Sequence, residues 1–571
     1  MRRLLIVFAL LLVLAIGMAM VGIFFSAGRS PALGGSRVLT WKLDAPLVDY
    51  SETPDLQLFR RRSPQGLASL HRLLVQARND PDVKGLGIYI QNARFGFGKA
   101  QELRSLLQSI AAADKFVDCY LETAGEGTNG TLAYYLASAC QRITLSPLGE
   151  LNTVGIYSDS PFVRGTLDKL QIEPQFLHVG DYKSAAEFYT ETQHSAPAEE
   201  ALAAVLDDLF DQIVTAIAES RKLDPEHVRR LIDSAPLPAE QALEEGLIDE
   251  ITYPDIFESR LADMTAGKST LVPLEDYPSI STTFGRERIA VVFAQGTIVR
   301  GGNGTDPWSQ QRFIGADSLR QILRQLAEDD RVSGVVLRVD SPGGSPVASD
   351  LILRELELLA EKKPLVVSMS DVAASGGYYI SVKATKIVAE PATITGSIGV
   401  VGGKLATRRF QQELLGISHD TLSRGANADF FSSLDPFSPQ QAEQFQASME
   451  RVYETFLGHV AAGRDLSLEE VEGIAGGRIW TGRQALEIGL VDEIGGLEHA
   501  VALVKEAAGL APGTSIDLDF HPRPPNLLEL LSRTLTPFLA TRAPRFPLLP
   551  DLRTPYALEL PAEIVSLFRP F

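Results

Sequence analysis

The sequence predicts an α/β protein built from two tandem, related halves and preceded by one transmembrane helix. Three observations predict it. QALEEGLIDE at Gln241–Glu250 returns as QALEIGLVDE at Gln484–Glu493, agreeing at eight of ten positions 243 residues apart. Short β-branched apolar runs alternate with amphipathic stretches, a pattern that folds as a mostly parallel sheet with right-handed crossovers. The chain also opens with a long uncharged apolar run.

That run is Leu4 to Phe25, 22 residues after Met1-Arg2-Arg3. As a helix it spans roughly 30 Å of hydrocarbon, whereas the apolar core of a cleaved signal peptide is about 7–15 residues. The expectation is a retained anchor within residues 1–45. Arg2 and Arg3 before it favour a cytoplasmic N-terminus and an exported body.

The duplication extends outwards from its anchor. PLGELNTVGIY (Pro147–Tyr157) lies on PATITGSIGVV (Pro391–Val401), and YYLASACQRITLSP (Tyr134–Pro147) on YYISVKATKIVAEP (Tyr378–Pro391), both at an offset of 244. DVKGLGIYIQN (Asp82–Asn92) matches RVSGVVLRVDS (Arg331–Ser341) at an offset of 249. The halves are therefore residues 46–275 and 285–515. In the second, GVVLRV, PLVVSMS and KIVAE read as buried parallel strands. Between the first two, Ser349–Lys363 (SDLILRELELLAEKK) carries leucines and isoleucines three and four residues apart, an amphipathic helix with Ser349 as its cap. The tail, 516–571, is rich in proline and apolar residues and is expected to pack on the body or lie at the membrane surface.

Composition narrows the function. With 571 residues the chain exceeds one domain, and its 45% apolar and 22% charged residues are those of a globular protein. A net charge of −19 argues against nucleic-acid binding. The two cysteines, Cys119 and Cys140, show no metal-ligand spacing, so no metal is expected and buried packing is the reading. No cofactor motif appears.

Chemistry concentrates in the second half. VDSPGGS (Val339–Ser345) follows a strand and precedes a helix, so its glycines, Gly343 and Gly344, can turn backbone amides into open space. In VAASGGYYIS (Val372–Ser381), Ser375 is flanked by residues small enough to admit a carbonyl group, and the Gly376 amide can donate to it. Either stretch alone is more often a tight connection.

Together, SPGG, then ASGGYY, then TGSIGV resemble the signal peptide peptidase A family of serine proteases in its long, duplicated form. The likeness covers residues 45–515 and the anchor. It implies two Clp protease/crotonase-like domains, Ser375 as nucleophile and no catalytic histidine; none of the eight histidines stands in a triad pattern. It places a lysine base in GDYKS, here Lys183, which burial would bring below the ordinary amine pKa of about 10.4. It implies that Ser397 touches that amine and that Gly343 or Gly344, with Gly376, supplies oxyanion amides. It also implies apolar peptide substrates such as remnant signal peptides and a homotetramer, while the acidic balance and the inferred topology point to a body on the periplasmic side of the bacterial inner membrane. The repeats agree with a shared site: Ser375 lies opposite Thr131, and Lys183 opposite Ala428. Each half lacks what the other has. A noncatalytic membrane scaffold is the alternative, and crotonase-like acyl-CoA chemistry a more distant one.

Overall fold

The computed structural model of the chain describes residues 35–51, 66–91, 93–264, 270–278, 287–306, 311–511, 513–523 and 556–557. The expected anchor at 4–25 and most of the tail lie outside them. Among the described residues, no helix is long and apolar enough to cross a membrane.

Each half contributes one large sheet. The strands of the first are β1 (Arg37–Leu43), β2 (Val83–Ile90), β3 (Phe116–Leu121) and β4 (Arg142–Leu145). β5 (Glu173–Val179) leaves the sheet, and β6 (Glu250–Ile251) and β7 (Thr270–Pro273) complete it in the order β6-β4-β3-β2-β1-β7. The second half supplies β8 (Glu287–Gln295), β9 (Val332–Ser341), β10 (Leu365–Ala374), β11 (Lys386–Ala389), β12 (Ile394–Gly396) and β13 (Val400–Ala406). β14 (Ile479–Thr481), β15 (Glu493–Ile494) and β16 (Ile516–His521) follow. Its main path is β14-β12-β10-β9-β8-β16, with β11 between β10 and β15. All its pairings are parallel except β12 with β14. The helices that position the site are α1 (Phe97–Ala111), α2 (Ala196–Arg221), α3 (Pro346–Ala360), α4 (Gly376–Tyr379) and α5 (Pro439–Arg464).

The apolar runs become these strands for the expected reason. β10 reads LVVSMSDVAA and is buried along its whole length; a parallel strand covered on both faces has no polar side to show. The helix at 346–360 starts earlier than expected. Ser345 caps it, its Oγ accepting from Ala348 N at 3.3 Å, and Pro346 follows. Proline has no N–H to lose and a helical φ, so it suits the first turn and fixes the start there. Ser349 lies one turn inside. The cysteines also differ from expectation: Cys119 and Cys140, with Cα atoms 5.9 Å apart, are joined as a disulfide instead of packing as separate thiols.

The duplication is visible bond for bond. Tyr134 Oη donates to Leu247 O at 2.6 Å, and Tyr378 Oη to Leu490 O at 2.9 Å. Arg221 Nε donates to Gly246 O, and Arg464 Nε to Gly489 O, both at 2.9 Å. α2 and α5 each run 26 residues and end at a left-handed residue, Lys222 and Asp465.

The halves are interlocked. β5 leaves the first half and pairs antiparallel with β13, Val179 opposite Val400. On α2, Ala201, Val205 and Leu209 pack with Val372, Ala374, Ile394 and Ile479 of the second half, and Asp208 accepts from Thr481 Oγ1 at 2.6 Å. The second sheet also runs beyond residue 515, because β16 pairs with β8. Within the tail, Tyr556–Ala557 pairs with β13, so that part of it packs on the body.

A buried ionic network crosses the junction. Arg338, 1% exposed, donates to Asp49 Oδ1 at 2.9 Å and Glu102 Oε2 at 2.6 Å. Next to it, burial and the Glu102 carboxylate push the Glu390 carboxyl up to about 8. Its ordinary value is 4.5. Between these values the folded chain holds a proton that the unfolded chain has released, so stability falls as pH rises across the window. Glu390→Gln removes that loss. The variant is expected to melt about 4 °C above the unsubstituted protein at pH 9 and within about 1 °C of it at pH 5. Parallel melting curves at the two pH values check it; an unchanged difference would contradict a buried neutral carboxyl.

Candidate active site

Ser375 stands where β10 runs into α4. Its φ of 54° and ψ of −114° are strained for a residue with a Cβ, at a cost of order 1–3 kcal/mol. Two backbone bonds hold it there: Ser375 N–H donates to Gly396 O at 2.8 Å, and Tyr379 N–H donates to Ser375 O at 2.8 Å. Held in this way at the end of the strand, its hydroxyl is within reach of Lys183 Nζ, 2.9 Å away. Gly376 next to it has to be small. A Cβ there would meet Ser349 Oγ at 2.8 Å and Gly343 Cα at 3.1 Å.

Lys183 arrives from the other half. β5, aligned on β13, ends at Val179; Gly180 turns the chain, and Tyr182 N–H donates to Gly476 O at 2.8 Å. The side chain then reaches into the second half and is 2% exposed. Lys183 Nζ lies 2.9 Å from Ser375 Oγ, 3.0 Å from Ser397 O and 3.0 Å from Ser397 Oγ. Ser397 precedes β13, also at positive φ (53°), and its N–H donates to Arg478 O at 2.7 Å. Three residues distant in sequence thus meet at hydrogen-bond distance within one chain, all but excluded from solvent.

The glycine turn lies against Gly376, the residue after Ser375. The Gly343 N–H already donates to Ser341 Oγ at 3.2 Å. Gly344 N lies 3.2 Å from where a Cβ on Gly376 would stand. Among the described residues neither the Gly344 nor the Gly376 amide hydrogen has an internal acceptor. Of the two glycines between which the sequence did not choose, Gly344 is therefore the one available to an oxyanion. Beside Lys183 opens a cavity of about 370 Å³, lined by Phe176, Ala186 and Pro197 but also by Asp181, Glu187 and Glu191. It is mixed rather than wholly apolar. No group of three or more potential metal ligands occurs among the described residues.

Comparison with known proteins shows the family. The pattern of peptidase family S49 matches residues 122–266 and 357–511, one stretch in each half. The chain belongs to peptidase family S49. It is 33% identical over 507 residues to "Serine protease SPPA, chloroplastic" of Arabidopsis thaliana, across 87% of this chain and 73% of that one. To "Protease 4" of Haemophilus influenzae it is 30% identical over 525 residues, across 86% and 83%. A ClpP1 mutant from Listeria monocytogenes aligns at a TM-score of 0.24 and 14% identity over 38% of this chain and 94% of that one. That likeness is too slight to add to the α/β class already seen in the sheets.

In this S49 serine peptidase the structure brings together every site residue the sequence singled out; Gly343 stands beside Gly376, with its amide bonded to Ser341 Oγ. It also adds residues the sequence did not reveal. Gly477 packs on the Lys183 backbone, and Arg478 presents the carbonyl that holds Ser397. Both lie in IAGGRIW, where paired glycines before a strand were the available signal.

Proposed function

We propose that the protein is a membrane-anchored endopeptidase that uses a Ser375–Lys183 dyad to cut apolar peptides, remnant signal peptides among them. The observation that carries this is the 2.9 Å contact between Lys183 Nζ and Ser375 Oγ. A serine hydroxyl needs a base, and an amine is a base only when neutral. Removal from water disfavours the ammonium form. A neutral amine has two N–H groups and one lone pair. With the N–H groups on Ser397 O and Ser397 Oγ, the lone pair is left facing the Ser375 hydroxyl.

Lys183 takes the Ser375 proton as Oγ attacks the scissile carbonyl. The negative charge on the carbonyl oxygen is met by the Gly344 and Gly376 amides, and the lysine returns the proton to the leaving amine. A water activated by the same lysine then releases the acyl group. The 22-residue apolar run at the N-terminus supports anchoring, and an anchored body meets membrane peptides at raised local concentration. Orientation towards the periplasm and assembly as a homotetramer complete the reading.

The dyad sets the pH profile. Below the apparent pKa of the lysine, kcat/KM on a synthetic signal peptide should rise about tenfold per pH unit. Activity flat from pH 5 to pH 10 would exclude an amine base. A scaffold would cut nothing at any pH.

A further inference from the structure

Lys99 is a second buried lysine that the chemistry above does not use. It sits in the first turn of α1 and is 3% exposed. Its Nζ lies 2.6 Å from Asp371 Oδ2, 2.7 Å from Asp340 Oδ2 and 3.2 Å from Asp49 Oδ2. Asp49 is held by Arg338 and Ser370 as well. Asp340 and Asp371 belong to the second half, and their places are specific. Asp340 lies two residues before Pro342-Gly343-Gly344. Asp371 lies four residues before Ser375.

The backbone between them is irregular. Along β9 and β10, Val339 pairs with Met369 and Ser341 with Ala373, so Asp340 faces a bulge of Ser370, Asp371 and Val372. Such bulges re-aim the residues that follow them, here the strand end that delivers Ser375. A bulge needs external fixing because its ladder is interrupted. Asp340 Oδ1 accepts from Val372 N at 3.3 Å, and Asp371 accepts from two backbone amides of the first half, Gly96 N at 3.0 Å and Lys99 N at 2.8 Å. Asp371 thus caps α1 from across the junction.

The repeat explains how this contact arose. The segment of the first half equivalent to the Gly343–Gly344 turn is Arg94–Phe95, which leads directly into α1. Where the second half keeps an oxyanion turn, the first half presents a helix N-terminus and Lys99 to its partner's strand ends.

We propose that Lys99 is a positioning residue: it ties the glycine turn to the nucleophile strand and fixes the distance between the Gly344 amide and Ser375. This rests on the Ser375–Lys183 reading. Lys99 touches neither the dyad nor a substrate, so its loss should act on the chemical step rather than on binding.

The test is Lys99→Met, which keeps the apolar stem and removes the charge. kcat on a soluble apolar peptide is expected to fall about a hundredfold, since small misplacements of reacting groups cost that much, while KM changes less than about twofold. Hydrogen exchange should quicken in peptides spanning 338–346 and 370–377 and stay unchanged in the first-half sheet. Should Lys99→Met not fold, Asp340→Asn leaves Lys99 paired with Asp49 and Asp371 and is expected to lower kcat about tenfold at unchanged KM. A folded variant with the kcat of the unsubstituted protein, or with unaltered exchange at both segments, overturns the proposal. An unsubstituted protein that cuts no peptide overturns the peptidase reading instead, and hydrogen exchange still decides the role of Lys99.

Discussion

Ser375→Ala and Lys183→Ala are each expected to lower kcat at least about a thousandfold while leaving the fold intact, and the double variant should be no worse than either. In the proposed dyad nucleophile and base act as one unit, so their losses do not add. Neither change should unfold the chain: the first removes one hydroxyl, and the second removes an amine from a site where a charged form is costly. Melting temperatures within about 3 °C of the unsubstituted protein would confirm that chemistry alone was lost. Because Lys183 and Ser375 meet within one chain, co-expressing the two single variants should restore nothing. Every site would carry one lesion. Recovery to a substantial fraction of full activity would mean that the working site forms between chains.

Gly477→Ala is expected to have an effect almost as large, though Gly477 takes no part in the chemistry. Its φ is +88°, and a Cβ there would stand 2.5 Å from Lys183 N and 2.6 Å from both Lys183 Cα and Cβ. Two of these are backbone atoms and the third, Cβ, is fixed to them, so no side-chain rotation relieves the overlap. Lys183 has to move, and Nζ leaves its 2.9 Å contact with Ser375. A kcat loss of about a hundredfold follows from displacement of that size. Gly489→Ala is the control. It carries similar backbone strain, at φ +78°, but nothing lies within 4 Å of the added Cβ. Both variants should lose roughly 1 kcal/mol of stability from the left-handed backbone, and only Gly477→Ala should lose activity. Equal kcat values for the two would break the link between the Gly476–Gly477 turn and the base.

Much of this was legible in the sequence because it is written locally. Strand and helix period, the strand-to-helix turns and the two copies of QALExGLxDE depend on residues close together or on direct repetition. Lys183 was legible only through the GDYKS resemblance and the matching of halves, since a lysine in a polar segment otherwise reads as surface. Lys99 shows the limit. It sits in FGKAQELRSLL, an ordinary helix start, and its meaning lies in Asp371, 272 residues away. No local pattern records that contact. The choice between Gly343 and Gly344 likewise depended on which amide Ser341 Oγ accepts, a matter of angles. The cap of α3 was misplaced by four residues because Ser345 and Ser349 are both serines one turn apart; Pro346 was the deciding signal.

The central claim is that Ser375 is a nucleophile activated by Lys183. Labelling with a fluorophosphonate probe, followed by intact mass and peptide mapping, tests it most directly. The expected result is one adduct per chain, carried on Ser375 Oγ, with a labelling rate that rises with pH and drops at least about a hundredfold in Lys183→Ala. An adduct on another residue, or undiminished labelling of Ser375 in Lys183→Ala, would contradict it.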